Sequence, residues 1–329
     1  MARVPYPVRV LARFAVLMLA VSFVTFLLVG LSPIDPVQAN TGQVAYLTMS
    51  PERRALLAER WGSDAAVLER YGAWLAGALT GDFGESLRFG RPVVEVIGER
   101  LASSALLMVV AWAVSGVLGL VLGVVAGTRR DSAADRVIRG WCYVLSATPT
   151  FWIALVALMV FSVQLGWFPV GFSAPIGSAG DVSLATRLHH AALPALVLSL
   201  TGVANVALHT REKTIDVMAS DYVRFARARG EGPMEIVLRH GLRNLALPAV
   251  TLMCSQVAEV IGGSVLVEQV FSYPGLGQAA VTAGIGGDAP LLVGIACATA
   301  AIVFMGNLAA DALYGVVDPR IRRRRRHAW

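Results

Sequence analysis

Charged residues are scarce in this sequence. Only 15% of the 329 residues are charged, whereas 56% are hydrophobic. Soluble domains usually carry about 25% charged residues, so this shortage indicates that much of the chain is surrounded by lipid. The net charge is nevertheless +6, and it comes almost entirely from arginine.

Lysine is nearly absent. Lys213 is the only lysine, and no glycine precedes it. A phosphate-binding loop of the GxxxxGK[ST] type needs a lysine directly after a glycine, so the sequence excludes such a loop. We therefore expect no cofactor on this chain. If ATP drives its activity, a partner subunit must bind the ATP and its magnesium.

Cysteine and histidine give no pattern typical of a metal site. Cys142, Cys254 and Cys297 are scattered through apolar stretches, so we interpret them as small buried hydrophobic residues. His189 and His190 suggest metal ligands, but two adjacent histidines rarely point at one ion. We interpret the pair as an interfacial cap on a helix and predict no metal site.

Long apolar runs are abundant, and a helix needs roughly 20 apolar residues to cross a bilayer. The first run is longer than the core of a secretory signal peptide, so we expect it to be a retained anchor. The sequence predicts six transmembrane helices, at about residues 14–32, 101–128, 140–164, 191–208, 244–267 and 289–310.

The arginines predict the orientation of these helices, because positive charge accumulates on the cytoplasmic side. Most basic residues lie in the two termini and in segments 128–139 and 211–243. We therefore expect both termini in the cytoplasm of a bacterial inner-membrane protein. The run Arg322–Arg326 resembles a patch for nucleic acid or lipid headgroups. We interpret it as an inside-facing anchor and predict no nucleic-acid partner.

The expected fold class is an all-α integral membrane protein with four regions. These are a tail with the first helix (1–32), an extracytoplasmic amphipathic segment (33–99), a five-helix core (100–316) and a basic tail (317–329). Ser50-Pro51 predicts the start of the first of two short helices in the second region, on the membrane surface or over the outer mouth. Gly119, Gly123 and Gly127 in the core predict close helix packing.

The cytoplasmic segment 211–244 carries the most informative pattern. Asp221 is suited to cap a short basic helix that extends through Arg229, and Gly230 ends it. A second amphipathic stretch leads towards Pro248. The pattern predicts a helix–turn–helix on the inner face, with an apolar underside formed by Tyr222, Phe225 and Ala226 and a charged top. An ordinary solvated loop is the alternative.

This segment resembles the EAA loop of ABC-importer permeases, with its pattern EAA, three residues, Gly, nine residues, Ile-x-Leu-Pro. Ala226, Gly230 and Leu247-Pro248 occupy matching positions, while Arg224 and Phe225 depart from the Glu-Ala start. Such departures are frequent in the peptide and nickel branch of the family. The resemblance implies that the short helix docks into a groove of an ATPase and transmits its motion.

Other stretches resemble the same branch, in the right order between the right spans. They are residues 81–87, 91–93, 268–277 and 307–322. The residues that carry the later signatures are Phe271, Pro274, Gly275, Gly277, Asp311, Asp318, Pro319 and Arg320.

The resemblance implies a type I ABC-importer permease fold and a set of partners. These are a second related permease, two ATP-binding cassette ATPases and an extracytoplasmic solute-binding protein. The residues it assigns to ATPase coupling are Asp221, Arg224, Ala226, Arg227, Gly230 and Pro248.

The cargo is predicted from polar residues of the fifth span. A carboxylate inside a span costs about 2.5–3.5 kcal/mol on insertion scales and usually faces a wet cavity. Gln256, Glu259 and Glu268 are therefore expected to line the translocation path, although Glu259 is equally compatible with a structural bond to another helix. The segment 258–263 is similar to nickel permeases. We expect nickel, cobalt or a metal–metallophore complex as cargo, with di- and oligopeptides as the alternative.

Two other classes of protein are less consistent with the sequence. An enzyme needs a nucleophile, base and acid in one cavity, and no motif joins Ser115, His209 and Glu259. A stand-alone channel or secondary transporter would explain Glu259 without an ATPase, but it would not explain the segment 211–244. We therefore expect a transport subunit without enzymatic activity of its own.

Overall fold

The structure is a computed structural model that describes residues 5–60, 66–175, 177, 182–241, 245, 249–250, 252–253 and 257–317. Apart from one isolated β-bridge between Glu85 and Pro92, the regular structure in these residues is helical. The helices are α1 Tyr6–Gly30, α2 Pro36–Thr41, α3 Gln43–Thr48, α4 Pro51–Arg60, α5 Val67–Leu79, α6 Val93–Thr128, α7 Ala133–Ala147, α8 Thr150–Ala157 with a π-helical continuation Leu158–Gln164, α9 Leu184–Met218, α10 Asp221–Ala228, α11 Pro233–Ile236 with a π-helical continuation Val237–Gly241, α12 Val257–Val270, α13 Leu276–Ile285 and α14 Ala289–Val317.

Four of the described helices are long and apolar enough to cross a membrane. They are α1, α6, α9 and the part of α14 from Ala289 to Ala310. Helices α6 and α9 have 36 and 35 residues, so both extend well beyond the spans predicted at 101–128 and 191–208. The first and last predicted spans agree with α1 and α14.

The third predicted span is not one straight helix. Neither α7 nor α8 alone is long and apolar enough to cross a membrane, whereas the two taken together are. The two helices meet at an angle of 103°. The break falls at Thr148-Pro149, where Thr148 adopts an extended conformation with ψ 128°. Proline lacks the backbone N–H that would continue a helix and disfavours helical geometry in the preceding residue. The span predicted over 140–164 is therefore interrupted at Pro149, and it corresponds to one membrane crossing only if α7 and α8 together form a broken span.

The fifth predicted span, 244–267, is described only in part. Helix α12 begins at Val257, and residues 242–244, 246–248, 251 and 254–256 lie outside the described residues. Within the described part, the apolar stretch Val260–Val270 is shorter than a span. The structure thus contains four candidate spans in its described residues, or five if α7 and α8 form one.

The chain divides into two compact units. The first comprises residues 1–104 and 274–304, and the second comprises residues 105–273 and 305–329. Helix α5 in the first unit packs against α1: the Ser22 and Tyr71 hydroxyls lie 3.0 Å apart, and the rings of Tyr71 and Trp74 contact Phe26. The two short helices predicted for the outer segment are α4 and α5, and Val67, Tyr71 and Trp74 of α5 are partly buried against the cluster that contains Phe26.

Asp288 joins two distant parts of the first unit. Its fully buried carboxylate accepts hydrogen bonds from the Ser86 hydroxyl at 2.6 Å and the Arg88 N–H at 3.0 Å. It also caps α14 by accepting from the Leu291 N–H at 3.2 Å. Burial raises the pKa of Asp288, and the hydrogen bonds oppose that shift. The segment 81–87 is thereby attached to the start of the last helix.

The glycines of α6 bring it close to α9 in the second unit. A Cβ atom on Gly119 would lie 2.6 Å from Val206 Cβ, and one on Gly123 would lie 2.5 Å from Thr210 Cβ. Gly127 makes the equivalent approach to Thr214. These distances leave no room for a side chain, so the predicted close packing through a glycine stripe is confirmed.

Candidate coupling surface and transport path

Helix α10 is a short helix with defined ends. It begins after Ser220 rather than at a cap formed by Asp221, which is its first helical residue. At the other end the Gly230 N–H donates to the Arg227 carbonyl at 2.9 Å, and the Glu231 N–H donates to the Ala226 carbonyl at 3.2 Å. This pair of bonds is a Schellman motif, which requires a left-handed residue at the position of Gly230. Gly230 has φ +85°, so glycine is required there for a conformational reason.

One face of α10 is buried within the second unit. Val223 and Ala226 are 0% and 1% exposed, and they pack in a cluster with residues of α6, α9 and α11. Phe225, by contrast, is 74% exposed, and Tyr222 is 40% exposed. The prediction that Tyr222 and Phe225 form the apolar underside with Ala226 was therefore wrong. Val223 and Ala226 lie three residues apart, which places them on one face of a helix, and Tyr222 and Phe225 lie on its outer side.

Ion pairs organise the turn that follows α10. Glu231 accepts hydrogen bonds from Arg229 at 2.7 Å and from the His240 Nε2 atom at 2.9 Å. Partial burial raises the pKa of Glu231, but the bonds from Arg229 and His240 outweigh it and leave the pKa below its usual value. Arg239 pairs with Glu235 at 2.9 Å. The charged side chains thus fix the connection between α10 and the π-helical turn at 237–241.

A buried ion pair anchors the C-terminal part of α9. The Arg211 Nε and Nη2 atoms donate to the two carboxylate oxygens of Asp135 at 2.6 and 2.8 Å. Asp135 is fully buried, and it also accepts from the Asp131 N–H at 2.9 Å. This bidentate pair holds the first turn of α7 against α9, ten residues before α10 begins.

Sequence reasoning missed this ion pair. Arg211 counted only as one of the positive charges that predict the cytoplasmic side, and Asp135 had no assigned role. The two residues are 76 positions apart, so no local spacing signals their contact. The available hint was an acidic residue in segment 128–139, where arginine otherwise dominates the charge.

The signature after α12 forms a second helix cap. The Tyr273 N–H donates to the Glu268 carbonyl at 2.8 Å, and the Ser272 N–H donates to the Gln269 carbonyl at 3.2 Å. Ser272 has φ +47°, so it occupies the left-handed position of another Schellman motif. Phe271 and Tyr273 are buried on either side of it, and the Phe271 carbonyl accepts from the Phe172 N–H at 3.1 Å.

The structure describes only some of the remaining signature residues. Gly275 precedes α13 as its N-cap, and Gly277 is buried in the first turn of that helix. Pro274 connects Tyr273 to Gly275. Asp311 lies within α14, and its side chain is outside the described part of the structure. Asp318, Pro319 and Arg320 fall outside the described residues, as does Pro248 of the coupling set.

The residues predicted to line the transport path are not brought together by the described coordinates. Gln256 lies outside the described residues, and Glu259 belongs to α12 but its side chain is not described. Glu268 is 0% exposed and lies near the end of α12, within the second unit. A path formed by these three residues therefore stays a prediction.

The histidines contact backbone carbonyls. His189 Nε2 lies 3.2 Å from the Trp167 carbonyl oxygen, and His190 Nδ1 lies 3.0 Å from that of Gly171. The two rings thus bond different parts of the segment that precedes α9. Within the described residues, no group of three or more His, Cys, Asp or Glu side chains is arranged to hold a metal ion.

Comparison with known proteins assigns this arrangement to a family. Residues 119–323 match the family model described as the binding-protein-dependent transport system inner membrane component. The chain belongs to this family. It is the inner-membrane permease subunit of an ABC importer of the peptide and nickel branch, and it is a multi-pass protein of the inner membrane.

Relatives match almost the full length of the permease. It is 36% identical over 310 residues to an oligopeptide transport system permease protein of Bacillus subtilis, covering 93% of this chain and 95% of the relative. It is 32% identical over 321 residues to a di/tripeptide transport system permease protein of Pseudomonas aeruginosa, with 93% and 95% covered. These relatives are transport subunits, and both are named for peptides. Their names favour the peptide alternative and give no support to nickel or metallophore cargo.

Proposed function

We propose that this permease forms one half of the translocation path of an ATP-driven importer for di- or oligopeptides. The observation that supports peptides as the transported substrate is the similarity of nearly the whole chain to permeases named for oligopeptides and di/tripeptides. In this proposal the chain has six transmembrane helices with both termini in the cytoplasm. A solute-binding protein delivers the peptide, a second related permease completes the path, and two ATPases supply ATP hydrolysis.

The outward side of α10 supports a role in ATPase coupling. A soluble loop would bury Phe225 or replace it with a polar residue, but here the ring is 74% exposed while Val223 behind it is fully buried. The helix is therefore fixed to its own unit on one side and presents an aromatic side chain on the other. Large exposed aromatic residues are typical anchors of protein interfaces. We assign Phe225, Arg224 and Arg227 to the surface that contacts the ATPase.

The experiment that tests this function is reconstitution of the importer in proteoliposomes with its ATPases, partner permease and binding protein. Uptake of radiolabelled dipeptides and pentapeptides should depend on ATP, and nickel ions should neither be imported nor compete. ATP-dependent uptake of nickel without peptide would contradict the proposal that peptides are the transported substrate. Full-rate transport by this chain without an ATPase would overturn the importer mechanism in favour of a channel or secondary transporter.

The predicted path residues Gln256, Glu259 and Glu268 enter the same proposal. A carboxylate along the path would attract the ammonium group of a peptide N-terminus. We expect Glu259→Gln to lower the uptake of peptides with a free amino group several-fold and to affect N-acetylated peptides less. Equal loss for both classes would remove Glu259 from peptide recognition.

A further inference from the structure

The first unit contains a cavity at the point where α1 ends. Its volume is about 610 Å³, which lies within the usual range for small-molecule sites, roughly 300–1,000 Å³. One wall consists of Val29, Gly30 and residues 32–37, and further lining residues come from α3, α4, α5 and Gly287. The cavity is therefore bounded by the end of a transmembrane helix and by the amphipathic segment above it.

Two arginines give this cavity its positive charge. Arg54 donates from Nη2 to the Leu47 carbonyl at 3.1 Å and lies over the Tyr46 ring, 4.6 Å from its centroid. Its Nε atom is buried without a hydrogen-bond partner among the described residues. A buried donor of this kind costs about 1–3 kcal/mol if it stays unpaired. Arg54 also lines the cavity, so its guanidinium brings a positive charge to the cavity wall.

The second guanidinium also lacks a counter-ion. Arg70 lies over the Phe26 ring at 5.8 Å, and within the described part of the chain it has no carboxylate partner. Burial lowers the pKa of Arg70, although an arginine remains charged at neutral pH. A partly desolvated cation without a partner gains strongly from an anion placed beside it.

The one carboxylate in the cavity wall is already engaged. Asp35 caps α2 by accepting from the N–H groups of Val37 and Gln38 at 2.8 and 3.4 Å. The interaction with Asp35 also raises the pKa of Tyr46. The lining therefore has two cations and one anion, with the anion directed at its own helix. A ligand with one negative charge would neutralise the cavity.

The position of the cavity identifies the source of that anion. Helix α1 is mostly exposed, and Leu28 near its end and Leu31 directly after it are 67% and 70% exposed, so this part of the chain presents an apolar surface suited to lipid. Phosphate groups of a bilayer lie directly beyond the hydrocarbon core, where a transmembrane helix ends. Arginine binds phosphate through paired N–H groups, and both Arg54 and Arg70 line the cavity.

We propose that this cavity is a binding site for the phosphate of an anionic phospholipid, held by Arg54 and Arg70 in the leaflet where α1 ends. The bound lipid would attach the amphipathic segment 36–79 to the membrane at the end of the first span. This site is independent of the cargo and of the ATPase surface, because its residues belong to the first unit and lie outside α10.

The test is native mass spectrometry of the delipidated full-length permease in mild detergent. Phosphatidylglycerol, phosphatidylcholine and inorganic phosphate are added separately, and the bound species are counted. We expect phosphatidylglycerol to bind in preference to phosphatidylcholine. The double substitution Arg54→Gln with Arg70→Gln should weaken phosphatidylglycerol binding about a hundredfold or more, because two charge-assisted hydrogen bonds are lost.

Arg53→Gln is the matched control. Arg53 is the exposed neighbour of Arg54 and does not line the cavity, so the loss of this one positive charge should leave lipid binding unchanged. Ala55→Trp is a second variant, which fills the cavity without altering charge and should also displace the lipid. It keeps the test decisive if the double variant does not fold.

Three results would overturn the proposal. The first is equal binding of the two lipids with no effect of either cavity variant. The second is stoichiometric binding of inorganic phosphate that prevents lipid binding, which would make this a site for soluble anions. The third is unchanged lipid binding together with loss of binding-protein capture by the double variant, which would assign the arginines to a protein contact.

Discussion

The segments 36–79 and 219–241 both consist of short helices, but α5 in the first and α10 in the second place their aromatic residues on opposite sides. Helix α5 turns Tyr71 and Trp74 towards Phe26 of its own unit. Helix α10 turns Phe225 outwards and buries the smaller Val223 and Ala226. An inward aromatic residue contributes to the stability of the chain that contains it. An outward one on an anchored helix is suited to contact a partner, which is the basis of the coupling role that we propose for α10.

The largest expected effect concerns the anchoring of α9, on which the coupling segment depends. Arg211→Met leaves the buried Asp135 carboxylate without its partner, so we expect the free energy of unfolding to fall by about 3–5 kcal/mol. Urea titration or thermal unfolding in detergent measures this loss. The double variant Asp135→Leu with Arg211→Met should recover most of it.

Lys213→Met is the matched control for this prediction. Lys213 lies two residues further along α9 and pairs with Asp216 at 3.3 Å on the exposed surface. Exposed pairs contribute at most about 1 kcal/mol, so this variant should unfold almost like the unsubstituted protein. Equal losses for Arg211→Met and Lys213→Met would show that the buried pair has no special role.

The next effect tests the two aromatic residues directly. Trp74→Ala should lower the stability of the purified chain by about 2 kcal/mol, because a partly buried ring is lost. Phe225→Ala should leave the stability unchanged and weaken association with the ATPase about tenfold, as expected for an interface anchor. Unfolding experiments and ATPase pull-down titrations measure the two quantities. The comparison would be reversed if the Phe225→Ala variant were less stable, or if the Trp74→Ala variant lost ATPase binding and kept its stability.

A smaller effect concerns the turn that ends α10. Gly230→Val places a β-branched residue at φ +85°, which costs about 1–2 kcal/mol. We expect this variant to insert into the membrane normally but to hydrolyse ATP without proportionate uptake. Gly232 has φ −74° in an extended conformation, so Gly232→Val is the control and should couple normally. Loss of coupling in both variants would indicate a general sensitivity of the loop.

The smallest effect compares the starts of the two helices. The Ser50 hydroxyl accepts from the Arg53 N–H at 3.3 Å and caps α4, whereas the Ser220 hydroxyl makes no such bond to α10. Ser50→Ala should therefore destabilise its helix by about 0.5–1 kcal/mol. Ser220→Ala should reduce the helix content of α10 less. Amide hydrogen exchange of the two segments distinguishes these outcomes.

Part of the coupling site could be predicted from sequence, because it depends on local backbone geometry. A glycine that ends a basic helix predicts a left-handed cap, and Gly230 has that conformation. The orientation of α10 could not be predicted in the same way. Tyr222, Phe225 and Ala226 all have apolar surface, so the sequence does not show which of them is buried. The face of α10 that is buried contains Val223 and Ala226, because these two residues pack against residues of α6, α9 and α11.

The spans show the same limit. Composition correctly indicated α1, α6, α9 and α14, since each is a long run of apolar residues. Pro149 was visible in the sequence, but a proline in a membrane helix can produce a modest kink as well as a break. The 103° bend between α7 and α8 depends on how each half packs against its neighbours.

The sequence by itself determined the membrane environment, the absence of a GxxxxGK[ST] loop, the amphipathic segments and the family motifs of this importer permease. Each of these follows from residue type and short-range spacing. Only the tertiary structure decided that Arg211 pairs with Asp135, that Phe225 faces outwards and that Arg54 and Arg70 share a cavity. Those contacts join residues far apart in the chain, and their partners are chosen by packing, which no local pattern specifies.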